Sequence, residues 1–111
     1  MIDFKSEKAG KAALIHIIGS VDATGATKLE AACDEWIAAG ERFLVLDFTQ
    51  VRYVSSMGLR AVLVVGRKLD GQGGRLIPCC LSGMVREVFQ ISGFDSLFTI
   101  FDSTDTALAS V

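Results

Sequence analysis

Apolar residues repeat along this chain with two alternating periods. Ile2 to Lys8 begins with the in-and-out alternation of an edge strand. Ala9-Gly10-Lys11 suits a hairpin turn. Ala12 to Ile18 is a near-continuous β-branched apolar run, the pattern of a strand buried on both faces, and Gly19-Ser20 ends it. The period then changes. In Ala23 to Ala39, Leu29, Cys33, Trp36 and Ile37 fall on one face of a helix, with Trp36 read as core. Asp22 or Thr24 can cap its start, and Gly40 follows its end.

The alternation continues. Phe43 to Phe48 reads as a second buried strand and Ser56 to Asp70 as a second helix, with Leu59, Val62, Leu63 and Leu69 inward. Gly71 and Gly73-Gly74 close that helix, and Arg75 to Cys80 reads as a third core strand. Ser82 can cap a helix from Gly83 to Gln90, with Val85, Val88 and Phe89 inward and Ser92-Gly93 as its stop. Leu97 to Phe101 reads as a short strand, and Ser103 to Ser110 as a last helix capped by Ser103 or Asp102. The order β-β-α-β-α-β-α-β-α predicts an α/β fold: a mixed, mostly parallel sheet of about five strands with about four helices. No internal repeat or long linker interrupts it, so residues 1–111 are expected to form one domain.

Composition narrows the function classes. Half of the 111 residues are hydrophobic, which supports a core without disulfides. Net charge is −2 and the 11 Lys and Arg are scattered, which argues against nucleic acid and against a membrane surface. No apolar run reaches the roughly 18 residues of a membrane span, and the start does not read as a signal peptide, so a cytoplasmic location is expected. The odd count of three cysteines fits a reducing compartment. On a strand, Cys79 and Cys80 would point to opposite faces. That suits neither a shared metal nor a disulfide, so they read as small buried hydrophobes.

Few residues offer chemistry. There is no phosphate-binding glycine loop; Gly71-Gln72-Gly73-Gly74 precedes a strand and reads as a turn. His16, the lone histidine, lies within an apolar strand and reads as structural. Asp22 and Asp47 each follow an apolar run and are expected at C-terminal strand ends, where open α/β sheets bind ligands. They make a thin metal site, and none is expected. Ser55 reads as the N-cap of the second helix, with Ser56 an ordinary first-turn residue. Catalysis by Ser56 would need His16 as base, and the G-x-S-x-G elbow is missing because Val54 holds its first position. No catalytic residue and no cofactor is therefore expected.

The run Asp47-Phe48-Thr49-Gln50-Val51-Arg52-Tyr53-Val54-Ser55-Ser56-Met57-Gly58-Leu59 resembles the strand-to-helix signature of STAS domains in bacterial anti-sigma-factor antagonists. Gly19-Ser20-Val21-Asp22, the Gly73-Gly74 pair and Val88-Phe89-Gln90-Ile91-Ser92-Gly93-Phe94 resemble further pieces of that family in the same order, so the likeness spans essentially the whole chain. Two positions depart from the common pattern: Ser55 stands where many members have Asp, and Met57 where many have Ser or Thr.

The resemblance implies an anti-sigma-factor antagonist working by partner switching. It would bind a histidine-kinase-like serine kinase that doubles as an anti-sigma factor. That kinase would phosphorylate Ser56, with Ser55 the second candidate, and a serine phosphatase would reset it. The implied partner surface comprises Asp22, Ser55, Ser56, Met57, Gly58 and Arg60, on one rim with the loop Thr49 to Val54, in a domain expected to be a monomer. The alternative is an accessory STAS domain, not phosphorylated, serving as an interaction subunit of a transport or signalling assembly. A small enzyme using Ser56 or Cys79 is a third, weaker reading.

Overall fold

Alternate residues of the central strands serve two different cores. The computed structural model describes residues 1–111. Its elements are β1 (Ile2–Ala9), β2 (Ala12–Val21), α1 (Ala23–Ala38), β3 (Phe43–Val54), α2 (Ser56–Asp70), β4 (Arg75–Cys79), α3 (Gly83–Ile91), α4 (Phe94–Leu97) and α5 (Thr104–Ala109). The sheet order is β1-β2-β3-β4. β1 pairs antiparallel with β2, while β2, β3 and β4 run parallel.

Ala13, Ile15 and Ile17 of β2, Leu44, Leu46 and Phe48 of β3 and Leu76 of β4 form the larger core with Leu29, Val62, Val65, Leu69 and Phe89 of α1, α2 and α3. The opposite parity, Ala12, Leu14, Val45, Ile77 and Cys79, packs against Ala107 of the six-residue α5. Both faces of the central strands are apolar because both are covered. Each fully buried Phe or Leu contributes about 1.5–3 kcal/mol of transfer free energy. No helix is long and apolar enough to cross a membrane.

The expected mixed, mostly parallel α/β sheet is present, with three local corrections. First, β2 reaches Val21 and β3 reaches Val54, so Asp47 lies mid-strand and Thr49–Val54 is strand rather than loop. Two register irregularities, between His16 and Ile18 and between Gly19 and Ser20, carry the pairing past the polar residues that disguise this stretch.

Second, Leu97–Phe101 is not a full strand. Phe94–Leu97 forms a helical turn, and only Phe101 bridges Cys79. The outer edge of β4 explains this. The Pro78 carbonyl accepts from Phe101 N–H, yet Pro78 has no N–H to offer that edge. The phenylalanines have another use. Phe48, Phe89, Phe94 and Phe98 form an aromatic row with centroid spacings of 5.4, 5.5 and 5.7 Å. Phe98 also fills the space over Gly66 of α2, where an added Cβ would lie 2.6 Å from its ring.

Third, Cys80 leaves the strand at φ 63°, the one non-glycine residue with positive φ. The strand rule that would send it to the face opposite Cys79 does not apply there. The two sulfurs and an Asp47 carboxylate oxygen lie within 4.8 Å of one another.

Candidate functional site

Val21 and Val54 are paired at the ends of two parallel strands, and each strand runs directly into a helix. The N-termini of α1 and α2 therefore open side by side on one rim. The same local device starts both. Asp22 caps α1, its Oδ1 accepting from Gly25 N–H at 2.8 Å. Ser55 caps α2, its Oγ accepting from Gly58 N–H at 3.1 Å. Each cap satisfies an amide that has no partner within the helix.

Ser55 has a second role. Its backbone N–H and its hydroxyl both donate to the Val21 carbonyl, at 2.9 and 3.1 Å. The half-buried hydroxyl thus donates once and accepts once within the domain. Ser56, the first residue of α2, is exposed and its side chain makes no hydrogen bond in the domain. The geometry agrees with the ranking expected from sequence: Ser55 holds the joint together as the cap, and Ser56 is free.

Met57 and Arg60 are exposed beside Ser56. Arg60 is four residues along α2, so it shares Ser56's helix face. Asp22 is half-buried at the neighbouring helix start. Gly58 differs from the surface position expected of it. It is buried, and a Cβ there would lie 2.5 Å from the Val21 carbonyl oxygen and 2.9 Å from Val54 Cγ1. The close backbone approach it permits is that of β2 in its own domain. Tyr53, 45% exposed just before the cap, adds an aromatic surface to the rim. The exposed Gln50, Arg52 and Tyr53 give this part of β3 the sequence pattern of a loop. The Val21 carbonyl, the acceptor that organises the joint, left no trace in side-chain pattern.

His16 and Asp47 lie away from this rim. They are cross-strand partners, seven residues before Val54 on β3, or roughly 23 Å of strand. His16 Nδ1–H donates to Asp47 Oδ2 at 2.6 Å, and Asp47 Oδ1 accepts from Thr49 N–H and Thr49 Oγ1–H at 2.9 and 2.5 Å. Burial pushes the Asp47 carboxyl upward, but hydrogen bonds from the Thr49 hydroxyl, the Thr49 amide, His16 and Cys80 outweigh it and hold the carboxyl below its usual range. Burial, with Asp34 and Glu30 adding to it and Lys68 opposing, pushes the Cys33 thiol up to about 12 and marks it as an inert core thiol.

The STAS domain family matches residues 3–107. The chain belongs to the STAS domain family. Across 92 residues this STAS domain is 44% identical to BtrV of Bordetella bronchiseptica, a candidate anti-sigma factor antagonist, covering 83% of this chain and 79% of that protein. It superposes on the crystal structure of an anti-sigma factor antagonist from Mycobacterium paratuberculosis with a TM-score of 0.91 at 24% identity, covering 100% of this chain and 94% of the other. The phosphorylated form of the Bacillus cell fate determinant SpoIIAA gives 0.75 at 24% identity, over 97% and 98%. At these identities the solved structures establish the fold alone.

Proposed function

We propose that this STAS domain is an anti-sigma factor antagonist switched by phosphorylation of Ser56. Its unmodified rim binds a histidine-kinase-like serine kinase that acts as the anti-sigma factor, freeing the sigma factor. That kinase then phosphorylates Ser56 and the complex dissociates. A serine phosphatase restores the first state. The domain acts as a cytoplasmic monomer and is the substrate of these enzymes, not an enzyme itself.

One observation carries this reading: the Ser56 hydroxyl is exposed and unbonded at the first position of α2, while Ser55 is engaged twice inside the domain. A phosphoserine brings about −1.5 to −2 charges and three strong acceptor oxygens. At a helix N-terminus these meet free amides and the positive end of the helix dipole. Arg60, one turn on, offers a cation on the same face. The new charge is thus accommodated by the domain, and its cost falls on an apposed partner surface through repulsion and desolvation. The likeness to BtrV, and the existence of SpoIIAA in a phosphorylated form, support the same reading.

The test is affinity capture from host lysate on Ser56→Ala and Ser56→Asp baits, with phosphosite mapping of wild-type protein incubated with ATP and the captured partners. A serine kinase held by the alanine form and lost from the aspartate form is expected, with phosphate on Ser56. Identical partners on both baits, with wild-type protein left unphosphorylated, would replace the switch with an accessory interaction subunit.

A further inference from the structure

A second polar cluster lies away from the Ser56 rim, on the sheet face covered by α5. Asp47 is the only charged residue among the buried side chains, at 7% exposure. It sits in a row across the sheet, with His16 opposite on β2 and Cys79 opposite on β4. Cys79 is fully buried, and Cys80 is half-exposed at the end of the row. The left-handed backbone at Cys80 is unfavourable for any residue with a Cβ, and a glycine there would have avoided it. That conformation coincides with bringing the Cys80 sulfur close to the Cys79 sulfur and the Asp47 carboxylate, all within 4.8 Å. Hydrogen bonds from Thr49 and His16 account for the buried carboxylate, but they do not account for a strained cysteine beside it.

We propose that Cys79 Sγ, Cys80 Sγ and an Asp47 carboxylate oxygen form a site for one thiophilic divalent cation, of the Zn2+ or Cd2+ class. Two sulfurs and one carboxylate oxygen are donors that tetrahedral Zn2+ accepts, at roughly 2.3 Å from sulfur and 2.0–2.2 Å from oxygen. Ligand atoms around one such ion lie roughly 3.5–3.8 Å apart, so side-chain shifts on the order of 1 Å close the set. The two thiolates select against Mg2+ and Ca2+. Burial, Cys80 and Asp47 push the Cys79 thiol up, so the free site holds both thiol protons and the cation must displace them: the two thiols release one proton each, the carboxylate releases none, and water occupies the fourth position on the open Cys80 side. His16 is a positioning residue, not a ligand. Its Nδ1–H holds the Asp47 carboxylate, the outer contact that orients metal-binding groups elsewhere. The site would tie the end of β4 to the middle of β3.

The test titrates reduced full-length protein with Cd2+ and follows the ultraviolet thiolate-to-cadmium charge-transfer absorption, with Zn2+ added afterwards as competitor. One Cd2+ per chain is expected, displaced by Zn2+. Cys80→Gly is the informative variant, because glycine suits the left-handed backbone and preserves the fold while removing a ligand. It should weaken Cd2+ binding at least tenfold and diminish the absorption, and Cys80→Ser should do the same. Cys33→Ser, which removes the remaining thiol, should leave both unchanged. Absence of the absorption, equal binding by wild type and Cys80→Gly, or loss of binding in Cys33→Ser would each overturn the proposal.

Discussion

The Ser55 hydroxyl donates to the Val21 carbonyl at 3.1 Å while accepting from Gly58 N–H at 3.1 Å, so one oxygen ties the end of β2 to the first turn of α2. Ser55→Ala removes both interactions and leaves the amide of buried Gly58 without its cap. We expect a loss of about 1–2 kcal/mol, read from urea or guanidinium unfolding. Phosphate incorporation by the cognate kinase should still map to Ser56 in this variant.

Gly58 is the tightest point of the same joint. In Gly58→Ala the new methyl would sit 2.5 Å from the Val21 carbonyl oxygen, which is backbone and cannot rotate away. Overpacking of this kind costs about 1–3 kcal/mol, visible as a lower unfolding midpoint. Gly66→Ala, whose methyl would meet the Phe98 ring at 2.6 Å, provides a comparison in which a side chain can yield.

Arg60 separates binding from stability. It is exposed and makes no ion pair within the domain. Arg60→Glu should leave stability within about 0.5 kcal/mol of wild type. It should weaken the kinase complex in calorimetry or biolayer interferometry; unchanged affinity would take Arg60 out of the interface.

Asp47 predicts a pH dependence with a definite sign. Its folded carboxyl titrates below the unfolded value of about 3.9, so the unfolded chain binds more protons in that window. The stability contributed by its ionised form is fully present above about pH 4 and is lost as pH falls through the folded value. Asp47→Asn should lower stability at pH 7 and flatten the acid limb of the stability curve. Urea unfolding from pH 7 down to pH 3 measures both effects.

Sequence alone conveyed the order of most elements, because each carries a strong hydrophobic period. The range Ser56–Asp70 is the clearest case: its cap, apolar stripe and closing glycine all agree with α2. The extension of β3 to Val54 was hidden because Gln50, Arg52 and Tyr53 face solvent and only Val51 and Val54 are buried. The strand-like residues at Leu97–Phe101 misled because Phe98 is used for packing on Gly66, and Pro78 withholds the donor that a fifth strand needs. At the rim, the division between a capping Ser55 and a first-turn Ser56 was legible, but the second bond that fixes Ser55 was not. That bond depends on a backbone carbonyl of β2, 34 residues away from Ser55. The conformation of Cys80 had no signal at all, since cysteine is an unexpected occupant of the left-handed region.

The parallel pairing of Val21 with Val54 sets two helix dipoles with their positive ends at one rim, and neither helix carries an acidic residue in its first turn. That arrangement is a standing electrostatic repulsion, relieved on α1 by the Asp22 carboxylate and left unrelieved on α2, whose cap is a neutral hydroxyl. An anion on Ser56 would supply the missing counterpart, a gain of about 0.3–1 kcal/mol. The modified molecule would then open less often than the unmodified one and be cut more slowly by proteases that attack the opened chain. Under the proposed switch, proteolytic turnover would draw preferentially on the active, unphosphorylated antagonist, leaving the inactive pool as a longer-lived reserve that a phosphatase can mobilise without new synthesis.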